Sequence, residues 1–161
     1  VDLSATTSTG DPEGEVVDRR EPPSAADLEA RLDRLRGEVE LPIPAVSAVK
    51  IGGERAYRLA RRGVEVDMPL RRSRVDALDV IAYANGVATL DLRVSSGTYV
   101  RAIAAELGGH CTSLRRLEIG PFSVDEADPE RMLAPGEVFV RLDAAAQARA
   151  PRDVLRRLGC V

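Results

Sequence analysis

Apolar and polar residues alternate along two stretches of the chain that flank Asn85 and Gly86. The stretches read RVDALDVIAYA and VATLDLRVS, and in the second Leu90, Leu92 and Val94 fall on one face. Alternation with a period of two is typical of half-buried strands, and Asn-Gly is the strongest two-residue hairpin signal. The pattern therefore predicts a long β-hairpin in the middle of the chain.

A second kind of spacing predicts a helix earlier in the chain, within SAADLEARLDRLRGE. Leu28, Leu32 and Leu35 recur at intervals of three and four residues, so they share one helix face. Ser24 stands at the N-cap position, with an acidic residue three places later, as in a capping box. Gly37 marks the end of the helix.

Shorter elements are predicted around these two. Residues 55–63 read as a short helix, and residues 64–74 as a loop or edge strand. An amphipathic helix over residues 100–107 follows a turn, with Thr98 as its cap. The remaining elements are a turn and strand within residues 9–17, a strand at 113–124 and a helical turn at 128–133. Together they predict an α+β fold with a mainly antiparallel sheet and flanking helices.

Composition adds only broad limits. Hydrophobic residues make up 44% and charged residues 30%, which is ordinary for a soluble globular protein. No apolar run approaches the roughly 20 residues of a membrane span, and no signal peptide is visible. We expect a cytoplasmic monomer without a membrane partner. We also expect reduced thiols at Cys111 and Cys160, and no metal site at the lone His110.

The net charge of −3 conceals one basic segment. Residues 1–40 carry a net charge of −6, residues 41–74 carry +5, and residues 75–161 carry −2. The basic residues of the middle segment are Lys50, Arg55, Arg58, Arg61, Arg62, Arg71, Arg72 and Arg74. Helical spacing places Arg55, Arg58 and Arg62 on one face. The segment is either a solvated surface or an arm that neutralises nucleic-acid phosphates.

The stretch SSGTYVR, residues 95–101, places Arg101 in the first turn of a helix. That end of a helix favours negative charge, so an Arg there suggests an anionic partner, a carboxylate or a phosphate. A plain strand-to-helix connection is the alternative. Asp11 and Glu13 in TGDPEG are paired carboxylates, but their sequence is typical of a surface turn.

Four segments in order resemble the bacterial tRNA pseudouridine-55 synthase family. They are TTSTGDPEGEVV, PIPAVSAVKIGGERAYRLARRG, SSGTYVRAIAAELG and LRRLEIGPF. The resemblance implies a partial pseudouridine synthase fold over residues 1–126, with a mixed, mostly antiparallel sheet. It leaves residues 127–161 as a short helical tail without a clear RNA-binding domain. Four motifs in the family's order are far more specific than any one of them.

The activity implied by the resemblance is isomerisation of one uridine in the T-stem-loop of tRNA. The uridine flips into a cleft, an Asp attacks it, and the uracil detaches, turns and rejoins through carbon. This chemistry implies no metal and no cofactor. In this picture Arg101 pairs with the nucleophilic Asp, Tyr99 lines the uracil pocket, and Leu114 packs near the base.

A thumb-like insertion over residues 48–75 is also implied, and it would close over the RNA. The substrate-binding residues that the resemblance implies are Lys50, Arg55, Tyr57, Arg58, Arg62 and Ser96. Ser96 stands where many members have Lys, which weakens one phosphate contact.

One family motif is missing. The nucleophilic Asp belongs to a Gly-x-Leu-Asp-Pro sequence that lies upstream of every matched segment, and this chain does not contain it. The Asp-Pro at Asp11 is in the wrong segment, so we do not assign the nucleophile there. We therefore expect a truncated chain, the C-terminal part of the catalytic domain, that is inactive without the missing half. A non-catalytic RNA-binding module that uses residues 50–74 is the alternative.

Overall fold

The computed structural model describes residues 1–149 of the chain. They divide into two compact units, residues 1–114 and the residues from Arg115 onward. The predicted domain boundary after residue 126 stays a prediction about the family domain. Cys160 and the last part of the predicted tail lie outside the described residues. No helix in the described part is both long enough and apolar enough to cross a membrane.

Both units combine short strands with helices. The first unit contains, in chain order, β1 (Ala5–Thr7), β2 (Val16–Arg19), α1 (Ala25–Leu35), β3 (Gly37–Pro42), β4 (Lys50–Ile51), β5 (Glu54–Arg55), α2 (Ala56–Arg61), β6 (Leu70–Ala84), β7 (Val87–Val94) and α3 (Val100–Glu106). The second contains β8 (Glu118–Ile119), β9 (Phe122–Ser123), a 3₁₀ turn (Val124–Glu126) and α4 (Pro135–Arg149). Every strand pair is antiparallel, so the predicted α+β class is confirmed.

The largest sheet has the strand order β3-β6-β7, and its strands β6 and β7 form the predicted hairpin. Asn85 and Gly86 have φ angles of 52° and 79°, the left-handed pair that a type I′ turn requires. Ala84 pairs with Val87 on either side of the turn. The alternation of Leu90 with its polar neighbours therefore marked the correct strand and the correct face.

Helix α1 covers this sheet and contributes much of the core. Leu28, Leu32 and Leu35 are buried, as their spacing predicts. The hydroxyl of Ser24 accepts a hydrogen bond from the Asp27 amide at 3.1 Å, which satisfies one of the free N–H groups at the helix start. The core cluster also contains Leu3, Leu41, Val75, Leu78, Ala88, Ala102, Ile103 and Leu107.

The prediction of a loop or edge strand for residues 64–74 agrees with the structure at its C-terminal end. Leu70–Arg74 belong to β6 and pair with β3 on one side, whereas the pairing of β6 with β7 begins at Val75. Their side chains alternate, because Ser73 is buried whereas Arg72 and Arg74 point outward. Strand β3 has no partner on its other side among the described residues, a position that tolerates Pro42.

Three local predictions in the second half of the chain are wrong. Tyr99, not Thr98, is the N-cap of α3, and the Thr98 hydroxyl lies 3.2 Å from the Ser95 hydroxyl instead. The strand predicted at 113–124 is reduced to the short β8–β9 hairpin. Residues 128–133 form a hydrogen-bonded turn and no helix.

The outer edge of β7 is only partly paired. The Leu3 amide donates to the Gly86 carbonyl and the Ala88 amide to the Val1 carbonyl, each at 2.8 Å. Beyond this short stretch, residues 89–94 have β6 on one side and no strand on the other within the described chain. The sheet therefore ends in an open edge of six residues.

Candidate active site

Arg101 lies in the first turn of α3, where its guanidinium is held by acceptors from two distant segments. Nη1 donates to the Thr9 carbonyl at 3.0 Å and to Asp11 Oδ2 at 2.9 Å. Nη2 donates to the Val46 carbonyl at 2.8 Å. The side chains of Arg101 and Asp11 are 25% and 29% exposed, so water screens this ion pair only in part.

The loop that carries Asp11 holds its carboxylate in place. The Thr9 hydroxyl and the Glu13 amide both donate to Asp11 Oδ1. The Thr7 hydroxyl donates to the Asp11 carbonyl at 2.6 Å, and Gly10 has a φ of 73°, which favours glycine. The turn predicted from the sequence is therefore present, but its carboxylate faces Arg101. Arg101 therefore has a carboxylate partner within this chain, and its predicted pairing with the nucleophilic Asp stays a prediction.

The environment of Asp11 favours its ionised form. The hydrogen bond from the Thr9 hydroxyl is the main cause that lowers the pKa of Asp11, and the positive charge of Arg101 adds to it. Partial burial acts in the opposite direction but does not outweigh them. Asp11 is thus a fixed anion at neutral pH, and it orients the guanidinium.

We expect the carboxyl carbon of Asp11, followed by NMR during an acid titration, to show a pKa below the ordinary value of aspartate. Thr9→Val should raise this pKa, because it removes the hydroxyl that donates to the carboxylate. Thr89→Val, at an exposed position on β7, is the control and should leave it unchanged. A lowered pKa stabilises the fold at neutral pH. We expect that contribution to be lost as the pH falls below about 4. An unchanged pKa in Thr9→Val would contradict the role of this hydrogen bond.

Part of the Arg101 guanidinium remains available. A guanidinium carries five N–H groups. Nη1 uses two of them and Nη2 uses one. The Nε–H and the second Nη2–H have no acceptor among the described residues. The side chain is therefore anchored on one side and can bind a further anion on the other.

Two other residues that the sequence predicts for the site are Tyr99, just before α3, and Leu114, at the end of the first unit. Tyr99 precedes α3, and its half-buried side chain packs against the core. Leu114 is the last residue of the first unit and is 58% exposed. Their predicted contacts with a uracil base stay predictions.

The predicted substrate-binding residues of the basic segment surround α2. The spacing of Arg55, Arg58 and Arg62 predicted one shared helix face, and this is wrong, because α2 covers only residues 56–61. Arg55 is the N-cap residue and donates to the Ala48 carbonyl at 2.7 Å. Lys50 lies opposite Arg55 in the β4–β5 hairpin, which brings two cations together.

The remaining cations of α2 differ in how they are paired. Arg62 forms an ion pair with Glu54 at 2.8 Å, so its charge is already balanced. Arg58 and Arg61 lie over the ring of Tyr57, with guanidinium carbons 5.9 and 5.6 Å from its centroid. The hairpin and α2 thus present a basic, aromatic surface.

An open cleft of about 720 Å³ lies between this segment and the loop that carries Asp11. Its lining includes Ser8, Ala45, Ala56, Val64 and Met68. Within residues 1–149, no group of three or more His, Cys, Asp and Glu side chains is placed to hold a metal ion.

The single histidine and the described cysteine are both buried. His110 Nδ1 donates to the Ala5 carbonyl at 2.9 Å, which gives His110 a role in the fold. Cys111 is a free thiol that donates to the Ser113 carbonyl. The reduced state predicted for the two thiols stays a prediction, because Cys160 lies outside the described residues.

Comparison with known proteins identifies the relatives of this chain. Residues 1–100 match the family model described as TruB family pseudouridylate synthase (N terminal domain). A protein of Mycobacterium sp. (strain KMS) named tRNA pseudouridine synthase B is 42% identical over 144 residues, which cover 82% of this chain and 48% of the relative. A Corynebacterium glutamicum (strain R) protein of the same name is 40% identical over 165 residues, 92% of this chain and 54% of the relative. The chain thus spans about half the length of these relatives.

Proposed function

We propose, because the chain belongs to the TruB family of pseudouridylate synthases, that it forms part of an enzyme that isomerises a uridine of tRNA to pseudouridine. The relatives carry the name tRNA pseudouridine synthase B, which supports tRNA as the substrate. The finer proposal is that the target is the uridine at position 55, in the T-loop. Isomerisation neither oxidises nor reduces the substrate, so the proposal includes no redox cofactor.

The anchored guanidinium of Arg101 is the observation that carries this proposal. Asp11 and two backbone carbonyls fix it, while two of its N–H groups stay free for a second anion. We assign that place to the nucleophilic Asp of the missing half. A neighbouring guanidinium keeps a carboxylate ionised, and a group fixed in advance needs no reorganisation during the reaction.

The basic surface around α2 fits the RNA side of the proposal. Arg58 and Arg61 have no carboxylate partner among the described residues and stack on Tyr57. Cations of this kind neutralise backbone phosphates, and an aromatic ring offers a face for an unstacked base. The same surface also supports the second candidate, an RNA-binding module without catalysis.

We expect no tritium release when this chain alone is incubated with tRNA labelled at uracil C5. Activity should appear when the chain is fused behind the N-terminal half of the Mycobacterium sp. (strain KMS) relative, which we expect to supply the nucleophilic Asp. The N-terminal half alone is the control and should be inactive, because it lacks Arg101.

Two results would contradict these expectations, and each would point to a different explanation. Tritium release by the chain alone would show that the nucleophile lies within it and would overturn our assignment. A folded but inactive fusion that still binds tRNA would favour the non-catalytic RNA-binding module.

A further inference from the structure

Arg71 lies in β6, and its guanidinium rests on the turn of residues 95–98. A Cβ atom built on Gly97 would contact Nη2 and lie 2.7 Å from Cζ and 3.3 Å from Nε of Arg71. The guanidinium therefore covers the Cα of Gly97. Gly97 also has a φ of 79°, and the Thr98 amide donates to the Ser95 carbonyl, as in a type II turn. The backbone angle thus favours glycine, and the guanidinium of Arg71 uses the space that a Cβ would take.

The charge of Arg71 is not balanced, in contrast to its neighbours in β6. Arg72 forms an ion pair with Glu40 at 3.1 Å, and Arg74 forms one with Asp76 at 2.7 Å. Arg71 forms no ion pair or side-chain hydrogen bond with the described residues. It is an exposed cation whose guanidinium lies against Gly97.

Two groups that can donate to an anion lie at this turn, the Arg71 guanidinium and the Ser96 hydroxyl. The Ser95 hydroxyl is occupied, because it accepts from the Arg74 amide at 2.9 Å and contacts Thr98. The Ser96 side chain is exposed, and its hydroxyl lies on the residue next to Gly97. The sequence predicts a weakened phosphate contact at Ser96, but the structure brings in a cation from the neighbouring strand. A guanidinium beside a hydroxyl suits phosphate, since both groups donate to its oxygens.

We propose that Arg71 and Ser96 form a phosphate-binding site that holds a backbone phosphate of the RNA. Gly97 precedes Arg101 by four residues, so the site lies beside the first turn of α3. The absence of a side chain on Gly97 leaves the space in which the Arg71 guanidinium lies beside this turn. The proposal rests on the proposed function in one respect, namely that the anion belongs to RNA.

The test is a salt titration of the binding of a T-stem-loop RNA to this chain. Arg71→Gln should weaken binding about fivefold at low salt and reduce the slope of log K against log salt by about one. Arg93→Gln is the matched control, because Arg93 is an exposed arginine on β7 that lies outside the basic segment. It should leave affinity and slope nearly unchanged. Adding Ser96→Lys to Arg71→Gln should restore the slope, because it returns a cation to the same turn.

Equal effects of Arg71→Gln and Arg93→Gln would overturn the proposal, as would a failure of Ser96→Lys to restore the slope. Absence of RNA binding by the unmodified chain would overturn it as well. The proposed function fails in a different measurement, tritium release by the fusion. If the fusion is inactive but Arg71→Gln still changes the salt slope selectively, the proposed enzymatic function is contradicted and the proposed phosphate site is supported.

Discussion

Replacing Arg101 with Ala in the fusion that carries the missing half should lower kcat about 10²–10³-fold while changing tRNA affinity less than about threefold. The guanidinium is partly shielded from water and fixed by three acceptors, so its interaction with a reacting carboxylate is stronger than at an exposed site. Arg101→Lys should recover only part of the loss. An ammonium keeps the charge but cannot reproduce the planar, forked donors.

Single-turnover tritium release and equilibrium binding of tRNA measure these two quantities separately. Arg93→Ala is the control, because Arg93 is an exposed arginine on β7. Circular dichroism should show the same folded fraction for all variants. Equal losses of turnover and affinity in Arg101→Ala would mean that Arg101 only contacts an RNA phosphate.

Replacing Leu32 with Ala should lower the free energy of unfolding by about 3–5 kcal/mol, the largest effect on stability that we expect. Leu32 has no exposed surface and lies in the core between α1 and the large sheet. The loss comes from the cavity and the lost burial alone, because Ala is the better helix former of the two. A domain is stabilised by only about 5–15 kcal/mol in total, so much of the margin disappears.

Urea unfolding followed by circular dichroism measures this change. Arg34→Ala provides the comparison, since Arg34 is exposed on the same helix, and it should change stability by less than about 0.5 kcal/mol. A similar small loss in Leu32→Ala would show that α1 does not pack on the sheet as described.

The hairpin and α1 could be predicted because their signals are local. Asn85-Gly86 specifies its own turn, and the leucines of α1 lie within a single helix face. Strand β3 was missed because it has only six residues and ends at Pro42, so alternation is too short to detect. It is ordered by its pairing with residues 28 to 38 positions away, which no local pattern records.

In the candidate site, too, local signals could be read from the sequence and contacts between distant residues could not. The sequence SSGTYVR showed that Arg101 lies in the first turn of a helix, where negative charge is favoured. The need for an anionic partner followed from that position. Asp11 could not be identified as that anion, because it lies 90 residues earlier and its own sequence is that of a turn. The Val46 carbonyl left no signal at all, since every residue has a carbonyl. The sequence did not distinguish Arg71 from the other arginines, because its contact with Gly97 depends on the position of β6 in the fold.

The open edge of β7 has a consequence for how the chain behaves at high concentration. Unpaired strand edges template the addition of further strands, and natural sheets usually block them. An antiparallel contact between two copies, centred on Leu92, would set Asp91 of each copy opposite Arg93 of the other. The charges that normally discourage such contacts would here attract. We therefore expect the separate chain to self-associate at high concentration through the open edge of β7, the edge to which another strand can be added.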